Sequence, residues 1–240
     1  MSAESTVPAV EHEHPDVTGG WLRPAVFGAM DGLVSNVALI AGVAGGTRDA
    51  SSTHAVVLAG LAGLAAGAFS MAAGEYTSVA SQSEAAAREI DRERREIIRN
   101  PEGEIGELAR MYAEKGIDAD LAEQVARQVH RDVDKAVVVH AREELGVHPD
   151  ELASPMLAAV SSFVSFGVGA LVPLLPYLLG AVSFVPGLLA TLVALFLCGA
   201  VVTQVTNRTW WYGGLRQLLL GAAAAGLTYG VGAVVGANLG

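Results

Sequence analysis

Residues 152–207 read LASPMLAAVSSFVSFGVGALVPLLPYLLGAVSFVPGLLATLVALFLCGAVVTQVTN, a run without a single Asp, Glu, Lys or Arg. A bilayer core takes about 20 mostly apolar residues per helix, so this run is far too long for one crossing and supplies two. Gly180, Ser183, Pro186 and Gly187 punctuate it and place the division near Gly180–Pro186. Upstream, the only charge between Pro24 and Thr47 is Asp31, and the only one between Ala55 and Ser83 is Glu75. Those windows give spans at roughly 24–46 and 55–80, and the C-terminal apolar stretch gives a fifth at about 213–238. A soluble helical protein has no use for so many uncharged windows of this length. The reading is an all-α, polytopic membrane protein with five transmembrane helices.

The charges that the spans lack are concentrated elsewhere. Charged residues make up 17% of the chain, against about 25% in soluble domains. Of the 40 charges, 29 lie between Glu84 and Glu151, and only Arg208 and Arg216 follow Leu152. The expected organisation is a disordered N-terminal tail (1–20), spans one and two (21–83), a cytoplasmic helical metal-binding domain (84–151) and spans three to five (152–240). The first 20 residues are acidic and lack an apolar core, which argues against a signal peptide. A net charge of −10 excludes nucleic acid as a partner, since phosphate neutralisation needs clustered cations. The single cysteine, Cys198, excludes a disulfide framework and reads as a small buried apolar residue. Arg23, the 11 cations of the central segment, Arg208 and Arg216 fall on one side of the membrane, and only Arg48 falls on the other. That asymmetry orients the N-terminus and insert in the cytoplasm and the C-terminus outside, as a multi-pass protein of the cell membrane.

The charged segment patterns as three amphipathic helices. No Gly or Pro separates Glu75 from Asn100, so span two runs on into the cytoplasm as one helix. Asn100-Pro101 gives an N-cap followed by Pro at the first helical position. Ile105, Leu108, Ala109 and Tyr112 continue that helix until Gly116. Asp120 with Glu123 has capping-box spacing and opens a third helix with Leu121, Val125, Val129, Val133 and Val137 as its apolar stripe.

Several of these positions carry chemistry. Glu93/Glu96 and Glu104/Glu107 are i, i+3 pairs, and a hairpin at Asn100-Pro101 would bring them together. Four converging carboxylates repel unless a cation sits among them; the alternative for either pair is a solvated face. His140 and Glu144 continue the valine stripe into the bundle, where metal ligation is the commonest reason for such residues. Asp31, inside MDGLVSN, is either a functional intramembrane carboxylate or a cap on a broken helix. The same two readings apply to Glu75, one turn beyond Met71, whose thioether is either packing or a soft ligand. Glu11-His12-Glu13-His14 has metal-binding residue types and could act as a scavenging site in the tail. Gly226/Gly230 and Gly232/Gly236 are small-residue pairs that let span five pack closely. No Ser-His-Asp set, P-loop or dinucleotide fingerprint occurs, so the chain does not read as an enzyme, and energy coupling falls to an ion gradient.

With Asp31-Gly32, Ser70-Met71-Ala72-Ala73-Gly74-Glu75-Tyr76 and the Glu93–Glu107 cluster side by side, the chain from Trp21 to Gly240 resembles the vacuolar iron transporter family (the yeast Ca²⁺-sensitive cross-complementer group), in a bacterial form. The resemblance implies a homodimer of five-helix subunits that moves Fe²⁺ or Mn²⁺ out of the cytoplasm in exchange for protons, with no permanently bound cofactor. It implies metal ligation by Glu93, Glu96, Glu104, Glu107 and Glu144, with His140 where the family carries a Met ligand. Asp31 and Met71 match the family's translocation path. Plant members carry a further carboxylate where this chain has Gly63, and here an acid stands at Glu75 instead. The competing reading is a membrane-anchored, ferritin-like iron-binding ferroxidase; such bundles use Glu-x-x-His on paired helices, a motif the insert lacks.

Overall fold

The computed structural model describes residues 20–46, 52–206 and 208–239. Among them nine α-helices follow one another: α1 (Leu22–Gly46), α2 (Ser52–Arg99), α3 (Pro101–Glu114), α4 (Ala119–Val129), α5 (Val133–Glu144), α6 (Pro155–Leu171), α7 (Leu175–Leu178), α8 (Val185–Thr206) and α9 (Trp210–Leu239). Five of these segments are long and apolar enough to cross a membrane, and the protein is an all-α polytopic membrane protein. The expected tail and its Glu11–His14 cluster lie outside the described residues.

Helix α1 is the centre of the membrane bundle, packed against α6 and α9 and also touching α2 and α8. Small residues permit this closeness. A Cβ at Gly32 would fall onto the Phe166 carbonyl of α6, and one at Gly232 onto the Gly42 carbonyl of α1. Of the two small-residue pairs on α9, Gly232 and Gly236 face α1, whereas Gly226 and Gly230 meet nothing within 4 Å. Ile40, Val56, Leu174 and Tyr177 form one apolar core, and Ala68, Phe166 and Ala170 form another beside Met71. The outward faces stay apolar, with Phe69, Val164, Leu197 and Leu227 all exposed, as a lipid-facing surface requires.

Helix α2 runs unbroken for 48 residues, about 72 Å at 1.5 Å per residue, roughly twice the hydrocarbon thickness. It carries the chain from the membrane into the charged insert without a joint. Where it leaves the apolar part, Ser83 Oγ donates to the Ala153 carbonyl at 2.8 Å, tying α2 to the approach to α6. Pro155 then starts α6 under a Ser154 N-cap, whose hydroxyl accepts from Leu157 N–H. The third span ends at Leu171, earlier than the division expected near Gly180–Pro186. Pro173 and Pro176 break the α6 ladder, and the short α7 and left-handed Gly180 (φ 98°) fill the turn before α8.

The insert differs from its sequence reading in one respect. The third helix, expected to run on from Asp120, is two helices parted at residues 130–132. Asp132 adopts an extended conformation, and its carboxylate accepts from the Asp134 and Lys135 amides, so it caps a new helix. Asp118, not Asp120, caps α4. The break also rotates the buried face. Leu121 and Val133 of the expected stripe are exposed, while Ala122 and Ala126 of α4 and Ala136, Val137, His140 and Ala141 of α5 are buried. Ile97 of α2 packs on Ala136 and Val137, and Ile105 and Leu108 of α3 pack on Ala126.

Candidate metal centre

The two carboxylate pairs meet α5 at the hairpin between α2 and α3, where Pro101 starts α3 directly after Asn100, whose side chain makes none of the expected capping bonds. The fully buried ring of His140 is the hub. Its Nδ1 lies 2.7 Å from Glu144 Oε1, 2.9 Å from Glu93 Oε1 and 4.0 Å from Glu104 Oε2. One ligand atom from each of Glu93, Glu104 and His140 falls within 4.8 Å of the others, and all three residues belong to different helices. Such convergence puts two oxygens and a nitrogen around one point, the donor set of a divalent transition-metal site.

Charge makes the cluster uncomfortable without a cation. Glu93 is only 8% exposed, and burial, followed by repulsion from Glu144, Glu104, Glu96 and Glu107, pushes its carboxyl up to about 7. Glu104 is also raised, first by burial and then by Glu107. His140 Nδ1 is hydrogen-bonded to Glu144, which leaves Glu93 Oε1 buried without a hydrogen-bond partner among the described residues; a cation at that point would take the nitrogen lone pair and the carboxylates.

The four glutamates do not enter equally. Glu96 stays near enough to repel Glu93, but its Oε1 accepts from Arg92 Nε at 3.2 Å. Glu107 likewise turns toward Arg110, at 3.5 Å. Both are half-buried, so each pair contributes one inner carboxylate and one rim carboxylate.

His130, at the end of α4, was not singled out by the sequence. Its ring stands edge-on to His140, with centroids 5.1 Å apart. Its Nδ1 lies 2.9 Å from the Ala126 carbonyl, which places the proton there and leaves a lone pair on Nε2. Nε2 of His130 and of His140 are both buried without a hydrogen-bond partner among the described residues.

A second polar site lies within the bundle. Asp31, Ser35, Asn36 and Leu39 of α1 and Gly63, Gly67, Ser70 and Met71 of α2 line a cavity of about 250 Å³ with Phe166 of α6. Their spacings are those of one helix face on each side. Gly67 leaves room for the Phe166 ring, which a Cβ there would strike. Helix α1 is continuous through Asp31, so no helix end exists there for its carboxylate to cap. Glu75, half-buried one turn beyond Met71, is not among the lining residues.

The fold and these two sites define a polytopic helical membrane protein with a buried carboxylate–imidazole cluster on the extension of its second span. The VIT family matches residues 22–233. The chain is 38% identical over 236 residues to a vacuolar iron transporter of Acanthamoeba castellanii, covering 94% of this chain and 84% of that one. It is 31% identical over 229 residues to vacuolar iron transporter 1 of Eucalyptus grandis (94% and 91%) and 30% identical over 228 residues to vacuolar iron transporter 1 of Arabidopsis thaliana (93% and 90%). The chain belongs to the VIT family.

Proposed function

We propose that this protein is a secondary transporter that moves Fe²⁺ and/or Mn²⁺ out of the cytoplasm by proton antiport, as a homodimer, for metal homeostasis. The observation that carries the reading is the buried Glu93–Glu104–His140 cluster on the continuous extension of a membrane helix. Family membership and relatives named as iron transporters support it.

In this reading residues 84–151 form the cytoplasmic metal-binding domain, with Glu93, Glu104, His140 and Glu144 as inner ligands and Glu96 and Glu107 at the rim. Capture strips water from the ion and releases protons, because carboxylate and imidazole bind metal only where they do not hold a proton. Asp31 and Met71 receive the ion in the membrane cavity, one supplying charge and the other a polarisable sulfur. A protonation cycle at Asp31 or Glu75 couples release to proton entry. Since insertion of a lone carboxylate costs a few kcal/mol, Asp31 is retained for this work. The charge asymmetry of the loops orients the N-terminus and insert inward.

Uptake of Fe²⁺ or Mn²⁺ into proteoliposomes, with and without an imposed pH gradient, tests the proposal. Uptake should depend on the protein and accelerate when the lumen is acidic. Metal movement indifferent to the gradient would remove the antiport step, and no movement would remove transport.

A further inference from the structure

Asn36 is 2% exposed and sits at the wall of the membrane cavity between Asp31 and Leu39. The two halves of its amide have different fates. Nδ2–H donates to the Ala170 carbonyl at 2.5 Å, reaching across to α6. Ala170 is the penultimate residue of that helix, so its carbonyl lacks an intrahelical partner and the amide N–H caps it. This bond also fixes the amide's orientation, because exchanging N and O would oppose two acceptors.

Oδ1 therefore points the other way, and it has no hydrogen-bond partner among the described residues. It faces α2 at a position without a side chain: a Cβ at Gly63 would lie 3.1 Å from it. An unpaired buried carbonyl oxygen costs about 1–3 kcal/mol. The capping role accounts for the N–H half of Asn36 and leaves the oxygen half unexplained.

We propose that Asn36 Oδ1 is a metal-ligating atom of the membrane cavity, a neutral hard oxygen that binds a divalent cation alongside the Asp31 carboxylate and the Met71 thioether. The proposal rests on the transporter reading for what passes through the cavity, but not for the binding itself. An oxygen in this place biases the cavity toward oxygen-preferring Mn²⁺ and Fe²⁺ over softer ions such as Cd²⁺, which Met71 alone would favour. It adds no charge, so neutralisation of the dication stays with Asp31.

The test is Mn²⁺ and Cd²⁺ binding to the full chain in nanodiscs, in a background of Glu93→Gln, Glu104→Gln and His140→Leu that silences the insert. Asn36→Leu and Asn36→Asp both lose the donor to Ala170, but only Asp keeps an oxygen. Asn36→Leu should weaken Mn²⁺ about tenfold while changing Cd²⁺ much less. Asn36→Asp should tighten Mn²⁺. If both variants bind alike, the residue is only a helix cap; if Asn36→Leu binds Mn²⁺ as the background does, the oxygen serves only a bound water. A background that binds no Mn²⁺ also overturns the proposal. Should the Leu variant fail to fold, Asn36→Asp decides alone, tighter Mn²⁺ supporting the ligand and unchanged or weaker Mn²⁺ refuting it. A chain that binds Mn²⁺ through Asn36 yet moves none refutes transport and leaves this site standing.

Discussion

Replacing Glu93 by Gln should make the metal-free protein more stable and the metal-bound protein less so. The buried carboxyl titrates at about 7 against an ordinary 4.5, a difference of about 3 kcal/mol between its charged and neutral forms. The folded chain holds this proton longer than the unfolded chain, so ionisation penalises the fold. The penalty is absent below 4.5, grows as pH rises, and is complete above about 7. Gln removes the charge and keeps the shape, but buries an amide where the Glu93 oxygen already has no hydrogen-bond partner among the described residues, at a cost of about 1–2 kcal/mol. The net gain at pH 8 is about 1–2 kcal/mol, or about 2–8 °C in melting temperature for a chain of this size. Mn²⁺ at about 100 times the Kd of the insert should raise the parent by about 2.7 kcal/mol through that site, and this part of the increment should vanish in Glu93→Gln. Thermal melts of the full chain in detergent at pH 8, with chelator and with Mn²⁺, read both effects. A variant that melts below the parent in chelator and rises with Mn²⁺ by as much as the parent would refute the reasoning, leaving Glu93 an ordinary structural acid.

Metal affinity of the insert should fall as pH drops below about 7, approaching tenfold per unit while one proton on Glu93 is displaced; calorimetry from pH 6 to 8 that shows a flat affinity would contradict this. His130→Leu should weaken Mn²⁺ binding about tenfold by removing the ring that stands edge-on to His140, with helicity unchanged by circular dichroism. Cysteine placed at the exposed Glu114, in a Cys198→Ser background, should resist impermeant maleimide in intact cells and react after lysis. Labelling of intact cells would reverse the orientation.

Much of this architecture is legible because a bilayer imposes a severe rule. Carboxylates and cations cannot be scattered through lipid-exposed helices, so the near-absence of charge from residues 152–240 and its concentration between 84 and 151 mark the spans directly. The continuity of α2 is equally visible, since nothing between Glu75 and Asn100 could break it. The split of α4 from α5 is hidden, because valines at every fourth position fit a single helix. What ends that helix is the Asp132 side chain, which competes for the Asp134 and Lys135 amides. The convergence of Glu93 and Glu104 on His140 was legible in the two glutamate pairs, but not the unequal burial within each pair. An i+3 neighbour sits about 60° around the helix from its partner, enough to turn Glu96 and Glu107 from the buried axis toward Arg92 and Arg110. His130 and Asn36 gave no local signal. One gains its place from a break in the chain, and the other from a carbonyl 134 residues away.

The account depends on Asp31, the sole charge among the residues lining the membrane cavity. Mn²⁺ flux into proteoliposomes should be compared between the parent and Asp31→Asn, with Mn²⁺ binding by the insert measured on the same preparations. The amide can neither exchange a proton at accessible pH nor neutralise a dication, so flux should collapse while insert binding stays at the parental value. Flux equal to the parent's would contradict the account and make Asp31 a structural residue outside the ion's path.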